Sequence, residues 1–139
     1  MIFGIGTDIV KVSRFEKWLK NPEMIQRFFN KCEILPDLVP LQENKIQALC
    51  EYYAARFASK EAFSKALGTG FAGLELSDFG IIKDENGKPD FYFGEKTSVL
   101  IQKKCGNSCK VHVSISHEKE FAVSFVMIEK YNQAEGQNV

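Results

Sequence analysis

The chain has 139 residues, 45% of them hydrophobic, and its 12 Phe carry most of the aromatic content. That suits one compact domain with a real core and leaves little room for a second. Lys plus Arg and Asp plus Glu balance at 18 each, giving zero net charge, whereas a general nucleic-acid binder shows a basic excess.

No stretch approaches the ~18 apolar residues of a membrane span, and the apolar opening up to Asp8 lacks a positive leader. The expectation is a soluble, cytosolic protein that neither binds nucleic acid nor enters a membrane. Residues 1–10, rich in β-branched side chains, predict a first strand. Residues 11–20 predict a short amphipathic helix closed by Asn21-Pro22, and Pro22 opens a second short helix to about residue 30. Pro36 and Pro40 leave residues 32–41 irregular. Over residues 42–67 no Gly or Pro interrupts the strongest helical signal in the chain. Ala48, Ala55, Ala58, Ala62 and Ala66 give it a small-residue face for close packing, and Gly68-Thr69-Gly70 end it.

The second half reads as β structure with one helix inserted. Residues 79–83 and 90–93 are strands around an Asn86-Gly87 turn, and residues 95–105 are a helix ended by Gly106. Residues 110–116 and 121–129 pair as a hairpin around residues 117–120. Residues 130–139 are polar and read as a frayed tail. The order predicts an α+β fold, a mainly antiparallel sheet packed against a long central helix, in a single domain over residues 1–139.

Three places could carry chemistry. On the first strand Gly4, Gly6 and Asp8 share one face, because side chains alternate. Glycines there mark a close approach by a ligand or another backbone; the alternative is a helix packed on them, with Asp8 as an N-cap. On the long helix Glu61 and Lys65 lie four apart. They read either as a surface ion pair or, with Arg56 and Lys60 nearby, as a carboxylate among cations suited to a metal and phosphates. Finally, Ser114 and Ser116 face away from Val111, Val113 and Ile115, and His117 ends that strand. No G-x-S-x-G elbow accompanies them, so a serine hydrolase is not indicated. Cys105, Cys109, His112 and His117 fit no common zinc spacing, and the four cysteines read as reduced thiols.

These pieces occur in a familiar order. Gly4-Ile5-Gly6-Thr7-Asp8-Ile9-Val10 resembles the opening motif of the holo-acyl-carrier-protein synthase family of 4′-phosphopantetheinyl transferases. Residues 56–66, Arg-Phe-Ala-Ser-Lys-Glu-Ala-Phe-Ser-Lys-Ala, resemble its long-helix signature. Asn86-Gly87-Lys88-Pro89 and Ser114-Ile115-Ser116-His117 resemble its later motifs. Thr7 stands where the family often has an apolar residue, and residues 21–41 are only loosely similar.

The resemblance implies an enzyme that moves 4′-phosphopantetheine from coenzyme A to a serine of apo acyl carrier protein, releases 3′,5′-ADP and supports fatty-acid biosynthesis. It implies that Asp8 and Glu61 bind Mg²⁺ and that Lys65 contacts the pyrophosphate, these three forming the catalytic set. Arg56, Lys88, Pro89, Ser116 and His117 would meet coenzyme A. The serine must lose a proton as it attacks, so Glu61 or a water in the metal's shell is the candidate base. Arg14 occupies the family's carrier-recognition position, flanked by Lys11, Lys17 and Lys20, with Arg27 a second candidate; charge complementarity would speed docking of an acidic helix. The resemblance further implies a homotrimer with active sites between neighbouring subunits, where the first strand and the long helix face each other across the interface. A non-catalytic coenzyme-binding module is the competing reading, but it would need neither both acids nor Lys65.

Overall fold

The computed structural model describes residues 1–132. Strand β1 (Ile2–Lys11) runs into a 3₁₀ turn, Val12–Phe15, and a single α-helical turn, α1 (Glu16–Leu19). Helix α2 (Pro22–Phe28), 3₁₀ turns at Pro36–Leu38 and Glu43–Lys45, and the long α3 (Ile46–Leu67) follow. A further 3₁₀ turn, Leu76–Asp78, leads into β2 (Phe79–Lys83), β3 (Pro89–Phe93), α4 (Glu95–Cys105), β4 (Cys109–His117) and β5 (Phe121–Lys130). The strands form an antiparallel sheet in the order β1-β5-β4 and a separate β2-β3 hairpin. No helix among the described residues is long and apolar enough to cross a membrane.

Helix α3 lies on one face of the three-stranded sheet, and the glycines of β1 explain how closely. A Cβ at Gly4 would come within 2.0 Å of the Ala66 carbonyl oxygen, and one at Gly6 within 2.0 Å of the Ala62 carbonyl oxygen. Glycine on the strand and alanine on the helix thus let two backbones meet. The glycines clear room for a helix rather than for a ligand. The contact also lies within one chain, so the first strand and the long helix do not need a subunit boundary to face each other.

Two aromatic clusters complete the core. Phe63 of α3 packs on Phe79, Phe91 and Phe93 of the hairpin, with ring centroids 5.1–5.4 Å away. Trp18 packs on Phe15, Phe28 and Phe57 at 4.7, 5.1 and 5.2 Å, seating the short helices against α3. Each ring pair adds about 0.5–1.5 kcal/mol beyond simple burial.

Several boundaries differ from the sequence reading. The predicted helix over residues 11–20 is a 3₁₀ turn plus one α-turn, because Lys11 still pairs with Phe121 in the sheet. A 3₁₀ turn repeats every three residues, so Arg14 and Lys17 stay exposed while Phe15 and Trp18 are buried. Helix α3 begins at Ile46, after the Glu43–Lys45 turn, and ends where Gly68 adopts φ 84°. Between β2 and β3 the loop spans residues 84–88, longer than a two-residue turn; Asp84 accepts from the Asn86 and Lys88 amides. Lys130 closes β5, and the Tyr131 amide donates to Ser108. The frayed tail therefore does not begin at residue 130, and residues 133–139 lie outside the described residues.

Candidate active site

Asp8 sits on the glycine face of β1, paired across the sheet with Ser124. It caps no helix, since the 3₁₀ turn after β1 has no side-chain cap. Instead it turns toward α3, whose Lys65 donates from Nζ to Asp8 Oδ1 at 3.1 Å and to the Thr7 carbonyl at 2.9 Å. Glu61, one helical turn before Lys65, is half-buried beside the same carboxylate. Burial first, and then the hydrogen bond and charge of Asp8, push the Glu61 carboxyl up to about 7, while Arg14 and Lys65 pull it down. Two carboxylates this close resist ionising together, and Asp8 accepts from Glu61 only while Glu61 holds a proton.

Asp8 Oδ2 is buried without a hydrogen-bond partner among the described residues. A carboxylate oxygen in that position is costly unless a donor or a cation satisfies it. A hard divalent cation suits this pair, because Mg²⁺ typically takes one or two protein carboxylates and fills its shell with water and phosphate oxygens. Asp8 and Glu61 therefore fit Mg²⁺. The chain does not bring Cys105, Cys109, His112 and His117 together as a zinc site. The Cys109 thiol donates to the Cys105 carbonyl, His112 pairs with Glu129 and His117 faces Glu51.

The cations around Glu61 are not the ones expected. Lys60 is fully buried and points away, paired with Glu33 at 2.7 Å and donating to the Leu76 and Phe79 carbonyls. Residues one apart on a helix diverge by about 100°, so Lys60 cannot flank its neighbour's carboxylate. Arg56 lies on the opposite flank of α3. The cations that act on Glu61 are Lys65 and Arg14, the latter stacked 5.1 Å from the Phe57 ring.

Arg56 belongs to a second cleft, about 360 Å³ in volume. Helix α3 supplies Glu51, Tyr52 and Arg56, β2 supplies Lys83, and the start of β3 and end of β4 supply Pro89 and His117. His117 Nδ1 stands 3.7 Å from Glu51 Oε1. Burial pulls the Arg56 pKa down, while Tyr52 and Glu33 support its charge. Arg56 Nε is buried without a hydrogen-bond partner among the described residues. An Arg, a Lys and a His around one opening suit an anion, with the Glu51 carboxylate beside His117 as the opposing charge. Lys83, absent from the sequence reading, had a legible signal: it shares a β2 face with Ile81 at alternating spacing.

Not all predicted residues converge there. Lys88 lines a neighbouring groove with Asp84, Asp90 and Lys110, and only Pro89 touches both. Ser116 faces the outer side of the sheet, in a shallow depression with Phe121 and Val123 that His117 also borders. Lys11 and Arg14 are exposed on the β1 side, and Arg27 lies in a separate groove beside Phe28 and Phe71. Because β1 and β4 lie on opposite sides of β5, the Asp8–Glu61–Lys65 cluster and the Arg56–Lys83–His117 cluster sit on opposite flanks of α3.

The chain is similar in sequence and in fold to known proteins. The holo-[acyl-carrier-protein] synthase of Treponema denticola is 44% identical over 130 residues, covering 93% of this chain and 99% of that protein. The Bacillus anthracis holo-(acyl-carrier-protein) synthase crystallised with CoA (3′,5′-ADP) is 35% identical, with a TM-score of 0.72 over 94% of this chain and 99% of its own. The ADP-bound Plasmodium yoelii acyl carrier protein synthase is 30% identical, with a TM-score of 0.77 over 95% and 98%. A family model matches residues 4–126, a span that holds both clusters, and the chain belongs to the 4′-phosphopantetheinyl transferase superfamily.

Proposed function

We propose that this chain transfers 4′-phosphopantetheine from coenzyme A to a serine of an apo acyl carrier protein, with Mg²⁺ as cofactor and 3′,5′-ADP as product, in support of fatty-acid biosynthesis. The observation that carries the reading is the Asp8–Glu61–Lys65 cluster, with two adjoining carboxylates, one orphaned buried oxygen and a lysine at their edge. Relatives and structural neighbours named as holo-acyl-carrier-protein synthases, one of them holding CoA (3′,5′-ADP), support the same reaction.

The serine oxygen bonds to the β-phosphorus of the pyrophosphate, the bond from that phosphorus to its bridging oxygen breaks, and 3′,5′-ADP leaves. Asp8 and Glu61 would hold the Mg²⁺, which when bound draws negative charge off the pyrophosphate. Lys65, anchored on Asp8 and the Thr7 carbonyl, has an exposed ammonium able to steady the leaving group. The serine must lose its proton as it attacks, and Glu61, or a water held beside it, would take that proton. Arg56, Lys83 and His117 would take the 3′-phosphate, with Pro89 in their cleft and Lys88 and Ser116 at its margins. Arg14, with Lys11 beside it and Arg27 farther along, would meet the acidic carrier.

The two clusters sit on opposite flanks of α3, so a coenzyme A held between two chains would meet the Asp8 flank of one and the Arg56 flank of the next. The reading therefore includes a homotrimer in which one chain's Asp8 flank adjoins its neighbour's Arg56 flank. The exposed apolar side chains on the outer face of the sheet, among them Ile5, Ile9 and Phe125, support such an assembly. The test is to incubate purified protein, coenzyme A and Mg²⁺ with an apo carrier and measure mass. The carrier gains one phosphopantetheine, and Asp8→Ala or Glu61→Ala abolishes the gain with circular dichroism unchanged. No gain with several bacterial apo carriers overturns the assignment.

A further inference from the structure

The guanidinium of Arg56 lies flat on the ring of Tyr52, with Cζ 3.4 Å from the ring centroid, and its Nη1 donates to the Tyr52 carbonyl at 3.3 Å. Such stacking satisfies one face of the cation and leaves its edge for an anion. Tyr52 is itself held: its hydroxyl donates to the Glu33 carbonyl at 2.8 Å. Glu33 is fully buried and fixed by Lys60 and by the Asn30 and Ile81 amides. The platform thus hangs on a rigid network joining α3, β2 and the segment after α2. An arginine left to itself loses much rotamer freedom on binding, so a ring fixing its plane prepays that loss.

We propose that Tyr52 is a positioning residue that holds the Arg56 guanidinium edge-on to the cleft shared with Lys83 and His117, and so sets the preference for a ligand carrying the 3′-phosphate of coenzyme A. This rests on the reading of that cleft as the 3′-phosphate site. Nothing in the ring touches the reacting atoms, so its effect falls on affinity and leaves the chemical step alone.

The experiment compares coenzyme A with 3′-dephospho-coenzyme A, measured by calorimetry on the full chain and on Arg56→Ala, Tyr52→Leu and Tyr52→Phe, each with its melting temperature. The parent prefers coenzyme A, and Arg56→Ala erases the preference. Tyr52→Leu weakens coenzyme A roughly tenfold and leaves the dephospho ligand within about twofold. Tyr52→Phe, which keeps the ring, retains the preference. In turnover assays Tyr52→Leu raises KM for coenzyme A with kcat held. Equal weakening of both ligands by Tyr52→Leu, or a retained preference where Arg56→Ala loses it, overturns the proposal. A parent without preference overturns both the cleft reading and the proposal. A parent that shows the preference but no turnover overturns the transferase reading alone.

Discussion

Single side chains decide whether this site can assemble. The Glu61 carboxyl, raised to about 7, makes the metal-free protein sensitive to pH in a defined direction. A folded-state pKa above the unfolded value gives a contribution to stability that is complete below the ordinary glutamate range and lost as pH rises through about 7. Without Mg²⁺, Glu61→Gln is therefore more stable than the parent at pH 8, and the difference vanishes below about pH 4. Thermal melts across that range check it. Mg²⁺ must displace the Glu61 proton, so affinity measured by titration calorimetry rises with pH and levels off above about 7. Gly6 is equally constrained. An added methyl meets the Ala62 carbonyl at 2.0 Å, and Gly6→Ala destabilises by about 3 kcal/mol or more in urea unfolding.

At the scale of elements, α3 is held from three sides: by the glycines of β1, by Phe63 in the hairpin and by the buried Glu33–Lys60 pair. Removing one member of a buried pair strands the other. Lys60→Met alone therefore costs about 3–5 kcal/mol, and adding Glu33→Gln recovers about 1–2 kcal/mol of it. A double-mutant cycle by chemical denaturation reads the coupling. The elements were largely legible in sequence, because α3 has an uninterrupted alanine face and β4 and β5 carry alternation. The pairing of Lys60 was not. Its carboxylate partner comes from a segment without periodicity, and helical neighbours alone suggested the wrong cluster around Glu61. Asp8, Glu61 and Lys65 were legible because strand alternation and helical spacing each fixed a face. The strand face of Lys83 was legible, but its meeting with Tyr52 and Arg56 arises only when α3, β2 and β4 converge.

Over the whole molecule, the sheet buries one face under α3 and leaves Ile5 59%, Ile9 61% and Phe125 45% exposed on the other. A charge there opposes self-association without touching the core. Phe125→Lys yields monomers by light scattering, keeps the melting temperature within a few degrees and loses transferase activity. Retained activity in a monomer overturns the shared-site reading.

The opposite-flank placement of the two clusters has a genetic consequence. If each site is completed by a neighbour, a chain lacking Asp8 still offers a sound Arg56 flank, and a chain lacking Arg56 still offers a sound Asp8 flank. Two parents deficient on opposite flanks, Asp8→Ala and Arg56→Ala, produced together in one cell then complement each other when coenzyme A is scarce. Random mixing leaves about a quarter of the interfaces with both halves intact, and at limiting coenzyme A the mixture is more active than either strain alone.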